Sequence, residues 1–324
     1  MARGTVPRET AGDGVGTGPI RLPLATGGTM IASGSQRRWP ARFGLGLGFD
    51  VRRKGMCSHS AVTRAENIPL LAAKAYALPS VFEPANLLRE SRRQRGLPTV
   101  AVPAVCVLDP DGDIVRHLES TGRAVRHPGW ACYHTQMWVT SLDGIELGIV
   151  GLAVGAPFAV MVAEQLAASG CDLLVSITSA GQITPGVAPP YLLLIDRALR
   201  DEGTSTHYVA PRRWSALAGD LSARLRGKLG DLGEPVRVGS SWTTDAPYRE
   251  TAVALAAARA QGIACVEMEA AALYAYAEAT GARVVCLAHI TNTMATTGDD
   301  FDKGTENGVR DALEAVRAVV IALR

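Results

Sequence analysis

The sequence predicts an α/β fold, a single-domain mixed β-sheet surrounded by helices over residues 63–324, behind a flexible basic Gly-rich leader over residues 1–62. Three observations carry that expectation. From Ala65 onward, short apolar runs rich in β-branched residues alternate with longer segments of helical period. The strand-like runs are apolar at successive positions, as in strands covered on both faces. No linker and no internal repeat of roughly 20 to 50 residues divides the body.

Charge and glycine are unevenly spread along the 324 residues. Residues 1–62 hold 9 Lys+Arg against 3 Asp+Glu, and 12 of the 34 glycines. No apolar period persists there, so the segment cannot bury enough surface to offset its ordering entropy, and it reads as disordered and dispensable. It is acid-poor like a transit peptide but lacks the amphipathic helix, and it holds no apolar run long enough for a secretory signal. The remaining residues carry 24 basic and 28 acidic side chains. A mildly acidic body offers no broad footprint for nucleic acid. Its apolar runs stop short of the roughly 18 to 20 residues of a membrane span.

The elements follow in order. Val100 to Leu108 reads as a strand ending in the turn Asp109-Pro110-Asp111-Gly112-Asp113, and Ile114 to Ser120 as a short helix. Trp138 to Leu142 and Glu146 to Leu152 flank Asp143-Gly144, a strong hairpin signal. Pro157 to Ser169 reads as a helix with proline in its first turn and Gly170 beyond its end. Leu173 to Thr178 is a buried strand; Leu192 to Leu199 fits either strand or helix. Arg213 to Leu229 reads as an amphipathic helix and Val236 to Ser240 as a strand. Helices over Arg249 to Gln261 and Glu269 to Thr280 close on Gly262 and Gly281. Val284 to Thr291 is a buried strand, and Gly308 to Leu323 the last helix. The six cysteines form no C-x-x-C pair, and four lie in apolar runs. They read as buried free thiols, which fits a reducing cytoplasm.

In sheets of this kind ligands gather in loops beyond strand ends. The most informative such segment is Val266-Glu267-Met268-Glu269-Ala270-Ala271-Ala272-Leu273. Acids in a first helical turn match the helix dipole. Dipole matching accounts for one glutamate, but not for two wedged between Cys265-Val266 and an all-alanine face, where burying charge is costly. A carboxylate held there can accept hydrogen bonds from the vicinal hydroxyls of a ribose.

V-E-M-E-A-A resembles the ribose-binding signature of the purine nucleoside and uridine phosphorylase superfamily. The resemblance runs from about Val105 to the C-terminus. Gly151 to Leu166 is similar to the family's Gly-rich strand-to-helix turn, Ile177 to Ile183 to its phosphate and ribose loop, and Ser240 to Thr251 to its base-binding segment. Ile290 to Asn292 lies where purine-specific members carry Ser-Asp. This segment and Gly304 to Gly308 look closest to uridine phosphorylases.

The resemblance implies roles. Glu269 accepts the ribose hydroxyls, the Met268 backbone lines the sugar, and Glu267 supports that loop. Ser179, with Ala180 and Gly181, forms the phosphate or nucleophile loop. Trp242 and Thr243 touch the base, and Arg249 bonds a base carbonyl; Trp242 as core and Arg249 as a solvated helix start stand as rival readings. Asn292 meets the departing base as a hydrogen-bond donor but cannot protonate it, which points to uridine-like or 6-oxo purine substrates. A turn cap is its other reading.

This chain also departs from the family. The family's Gly-Asp-Pro-x-x-Arg turn appears here as Leu108-Asp109-Pro110-Asp111-Gly112, with Gly112 at the arginine position. The second family arginine falls on Ser176, and the third on the Cys132-Tyr133 pair. Arg116, Arg123 and Arg126 are the available substitutes. The expected activity is therefore cleavage of a nucleoside's N-glycosidic bond, with phosphorolysis first. Hydrolysis by water is the alternative, and a non-catalytic nucleoside-binding protein a second. No cofactor or metal is expected beyond phosphate as co-substrate, and no nucleic-acid or membrane partner. A cytoplasmic homo-oligomer built from dimers is expected. His127 to His134, with its histidines, cysteine and aromatics, lacks metal-ligand spacing; it reads as a loop entering an active site or as an aromatic strand entry.

Overall fold

In a computed structural model the described residues are 69–324, without 71, 73, 231, 233, 234 and 295–299. The expected 1–62 leader lies outside them. The first described element, α1 (Pro84–Arg95), was not expected from the sequence. It is an arginine-rich helix with a weak apolar stripe, and its buried Leu88 and Ser91 alone mark the inward face. Ser91 and Arg95 bond the carbonyls of Ala131 and Cys132, so the aromatic 127–134 segment is tied to this helix.

Among the described residues ten strands form one sheet. The parallel core begins with β1 (Val105–Asp109), followed by α2 (Asp113–Ser120) and the short edge strand β2 (Val125–Arg126). β3 (Met137–Leu142) and β4 (Ile145–Gly151) make the expected hairpin, with Asp143 and Gly144 both at positive φ. Then come α3 (Ala156–Ala167), β5 (Leu173–Gln182) and β6 (Tyr191–Asp201), the ambiguous segment now settled as strand.

The expected helix Arg213 to Leu229 is corrected. Trp214–Ala216 is a strand, β7, paired with β6, and only Gly219–Leu225 is helical, α4. Leu217 and Leu221 keep their helical spacing to Leu225 and bury together, but sheet pairing takes the first three residues. β8 (Arg237–Thr244) runs further than expected. α5 (Ala252–Ala260) starts later than expected, because Thr251 caps it through its side chain. β9 (Cys265–Glu267), α6 (Ala270–Thr280), β10 (Arg283–Asn292) and α7 (Val309–Leu323) complete the chain.

The topology places the site. β5 pairs along one edge with parallel β10. Its other edge pairs with β1 in its first half and with β9 at Gly181 and Gln182. The order β10-β6-β8-β9-β5 thus closes on itself through β10, and β1-β4-β3-β2 extends outward. Between the point where β1 ends and the point where β9 begins, β5 has one edge open, at Ile177 to Ala180. α3 and α6 pack together on one side, and α2, α4 and α7 associate in another layer. The core is almost wholly aliphatic, with the five described cysteines present as free thiols. Among the described residues no helix is long and apolar enough to cross a membrane.

Candidate active site

β9 delivers Glu267 to the start of α6, and the chain turns through Met268 and Glu269 before the helix begins. Glu267 is buried and saturated. One carboxylate oxygen accepts the Ser241 hydroxyl at 2.9 Å and a short bond from the Thr243 hydroxyl. The other accepts the backbone N–H groups of Glu269 and Ala270, both at 2.7 Å. These two are first-turn donors that the helix cannot satisfy internally. Burial pushes the Glu267 pKa up, and the bonds from Thr243, Ala270, Glu269 and Ser241 pull against that.

Glu269 stands at the N-cap of α6 and is equally buried. One of its oxygens accepts the Gly155 N–H at 2.7 Å; Oε2 is buried with no hydrogen-bond partner among the described residues. Burial first, then the charge of Glu267, pushes its pKa up to about 8. Gly155 can aim its N–H this way because it sits at φ 87° and ψ 149°, a conformation side chains rarely adopt, at the start of α3. Met268, between the two glutamates, is half-buried.

The segment expected to hold the nucleophile, Ser179 to Gly181, begins on the open edge of β5. Ser179, paired with His289 of β10, donates both its N–H, at 3.2 Å, and its hydroxyl, in a short bond, to one oxygen of Asp111. Lys303 lies 3.1 Å from that same oxygen and also bonds Asp113. Arg116 donates to Asp113 at 2.6 Å and to the Asp111 carbonyl at 2.8 Å. Asp109 is buried and accepts the N–H groups of Gly112 and Val115, holding the turn in shape. Burial, and then its neighbours Asp111 and Asp113, raise its pKa to about 6. Burial and the Lys303 charge lower that of His289. Asp109, Asp111, Asp113, Thr178, Ser179 and His289 line a cavity of about 20 Å³, room for about one water.

At the end of β5, Gly181 faces Asn292, Val266 and Met294 so closely that a Cβ there would lie 2.8 Å from the Met294 sulfur. Asn292 is buried; its carbonyl accepts the Met294 N–H at 2.8 Å and its amide donates to Thr291 at 3.1 Å. The turn-capping geometry is therefore present, and among the described residues the amide donates this one hydrogen bond. Asp300 bonds Thr293.

The expected base contacts from β8 are seated otherwise. Neighbouring residues of a strand face opposite sides. Thr243 faces Glu267 and accepts the Ala271 N–H at 2.9 Å, fully buried. Trp242 faces away, packed with Ile183, Ala258, Ile263 and Val266, its indole N–H on Asp201 at 2.9 Å. Both side chains are buried in this arrangement, Trp242 in the core packing that was its rival reading and Thr243 beneath Glu267. Arg249 is exposed in a 3-10 turn ahead of α5. Of the substitute arginines, Arg116 joins the aspartate cluster and Arg126 sits on edge strand β2; Arg123 lines a separate cleft with His117 and Arg317. Ser176 is buried in β5. The sequence reading missed Lys303, 192 residues from Asp111 along the chain. The Asp302-Lys303-Gly304 turn beside the noted Gly304 to Gly308 stretch was its only local signal.

A family model described as the phosphorylase superfamily matches residues 86–323. The chain belongs to the phosphorylase superfamily. It is a phosphorylase-type enzyme. Among its relatives, a uridine phosphorylase of Thermococcus kodakarensis is 28% identical over 191 residues, covering 54% of this chain and 67% of the relative. A guanosine phosphorylase of Halorubrum lacusprofundi is 25% identical over 186 residues, covering 56% and 76%. The fold is that of a uridine phosphorylase from Vibrio fischeri solved with 6-hydroxy-1-naphthoic acid, at a TM-score of 0.54 and 19% identity, covering 69% of this phosphorylase-superfamily chain and 90% of the other.

Proposed function

We propose that the chain cleaves the N-glycosidic bond of a ribonucleoside by phosphorolysis, releasing free base and ribose 1-phosphate. One observation carries the reading. Glu269 keeps a buried carboxylate oxygen without a donor, while the same carboxylate is fixed by Gly155 through its other oxygen. Buried acceptors in a folded protein are normally satisfied, so an orphan of this kind marks where a ligand's donors belong. The vicinal 2′ and 3′ hydroxyls of a ribose supply them.

As the bond to the base stretches, the ribose gains oxocarbenium character, which the Glu269 carboxylate stabilises. The nucleophile approaches from the Ser179-Ala180-Gly181 turn, and the base departs toward Asn292. The Asn292 amide, a hydrogen-bond donor that carries no acidic proton, suits a base that leaves as a carbonyl-stabilised anion, so uridine-like or 6-oxo purine nucleosides are the proposed substrates. That two relatives are named for uridine and guanosine supports this. The reaction calls for no resident metal or cofactor. We place it in one domain over residues 63–324, in a cytoplasmic homo-oligomer built from dimers.

A second reading, hydrolysis, is favoured by the nucleophile cavity, which has room for about one water as it stands. Base release from uridine, inosine and adenosine, measured with and without millimolar phosphate and with the sugar product identified, tests both. Ribose 1-phosphate from uridine or inosine is the expected product. Free ribose at a phosphate-independent rate moves the assignment to hydrolysis, and nucleoside binding without turnover makes this a binding protein.

A further inference from the structure

We propose that Asp111 sets this chain's affinity for phosphate: its carboxylate occupies the anion seat of the Ser179 turn, and phosphate reaches that seat by displacing it. The inference rests on the reading of this turn as the nucleophile site. The Ser179 N–H, the Ser179 hydroxyl and the Lys303 ammonium converge on a single atom, Asp111 Oδ2. An incoming oxyanion needs those same donors. Asp111 belongs to the turn between β1 and α2, 68 residues from Ser179. The contact is therefore tertiary and not the accident of a local turn.

The three aspartates of that turn are not equivalent. Asp109 is buried and spends its acceptors on the turn's own backbone. Asp113 is tied to Arg116 and Lys303. Asp111 alone touches Ser179, and its side chain is 31% exposed, so it can swing toward solvent without unpacking the core. With Asp111 seated, the cavity admits about one water and no tetrahedral phosphate. The electrostatics act in the same direction. Two carboxylates, Asp111 and Asp113, face Lys303 and Arg116, and burial holds His289 toward its neutral form. A phosphate dianion therefore meets filled donors and a like charge at once. Once Asp111 leaves, both Ser179 donors are released, and Lys303 keeps Asp113 as its carboxylate partner. The phosphate group of ribose 1-phosphate uses the same seat, so the reverse reaction carries the same handicap.

The test uses the full chain and radiolabelled inorganic phosphate in equilibrium dialysis, on wild type, Asp111→Asn, Asp111→Ala and Asp113→Asn. Both Asp111 variants are expected to bind phosphate about tenfold or more tightly than wild type. Asp113→Asn, which removes the same charge without freeing Ser179, is expected to change it by less than about threefold. In base-release assays with uridine and inosine, KM for phosphate falls in the Asp111 variants while KM for the nucleoside holds. Unchanged phosphate binding in both Asp111 variants overturns the proposal, as does equal tightening in Asp113→Asn. Tighter phosphate binding without base release from any nucleoside upholds the seat and removes the nucleoside reading instead.

Discussion

Glu267 and Glu269 are two residues apart in one turn and equally hidden from solvent. Glu267 is met by four donors on its two oxygens, whereas Glu269 holds the Gly155 N–H on one oxygen, feels lesser downward pulls from Thr178 and Met268, and keeps Oε2 without a hydrogen-bond partner among the described residues. Burial raises the pKa of both, yet only Glu267 is compensated by a full set of bonds from its own fold. The difference separates a carboxylate that builds the site from one that waits for a ligand. Residue type and burial alone do not make that separation; counting donors does.

The largest effect is expected at Glu269. Glu269→Gln keeps the shape but loses the charge-assisted acceptor, and kcat/KM for base release should fall by about 100- to 1,000-fold. Its urea midpoint should hold or rise, because an under-satisfied buried carboxylate disappears. The pH dependence has a definite sign. The folded-state pKa of about 8 lies above the ordinary 4.5, so folding favours the protonated form. That contribution to stability is complete below about pH 4.5 and is lost as pH rises through about 8. Function runs the other way: the ionised form accepts the diol, so kcat/KM should climb with pH toward about 8. Both trends should flatten in Glu269→Gln. Near-normal turnover in that variant removes the diol assignment.

Glu267→Ala should reverse the pattern, with stability as the primary loss. Four buried donors lose their acceptor, and we expect a cost of about 3 to 5 kcal/mol in urea unfolding. Glu267→Gln, which keeps part of the acceptor set, should cost less and retain measurable turnover per folded molecule. If Glu267→Ala unfolds at the wild-type midpoint while losing all activity, the two glutamates have been assigned the wrong way round. Gly155→Ala comes next. It forces φ 87° on a residue with a Cβ, at about 1 to 3 kcal/mol, and turns the N–H away from Glu269. KM for the nucleoside should rise along with the loss of stability.

Much of this contrast was legible in the sequence, in one direction only. Val266 to Leu273 announced one acid more than a helix start explains, and strand periodicity placed the pair at a strand-to-helix turn. What the sequence withheld depends on distance along the chain. Two of the four donors that saturate Glu267 come from β8, 24 and 26 residues away, and the Gly155 donor on Glu269 lies 114 residues away. Lys303, between β10 and α7, and Asp111, between β1 and α2, meet across 192 residues of chain. The choice between the two readings of Trp242 turns on a simpler matter. Aromatic character suggested stacking, but alternation along β8 turns Trp242 to the side opposite Thr243, into a cluster with Ile263 and Val266. The β7 error is similar: Trp214 to Ala216 fits an amphipathic helix by period, and the free edge of β6 claims it.

The smallest of these effects, at Thr243, separates the structural carboxylate's support from any contact with the base. The Thr243 hydroxyl donates to Glu267 and accepts from the Ala271 N–H at 2.9 Å. Thr243→Val preserves the side chain's volume and removes both bonds. It strips one of four donors from Glu267 and leaves a first-turn N–H of α6 without an acceptor. We expect a loss of about 1 to 2 kcal/mol in urea unfolding. Because the side chain is wholly buried beneath Glu267, the ratio of kcat/KM between uridine and inosine should stay at its wild-type value. Thr243→Ser, which restores the hydroxyl and gives up a methyl, should recover part of the stability with the same ratio. A changed base preference in Thr243→Val would return this residue to the base site, and Glu267 would then belong with Glu269 among the groups that meet the substrate.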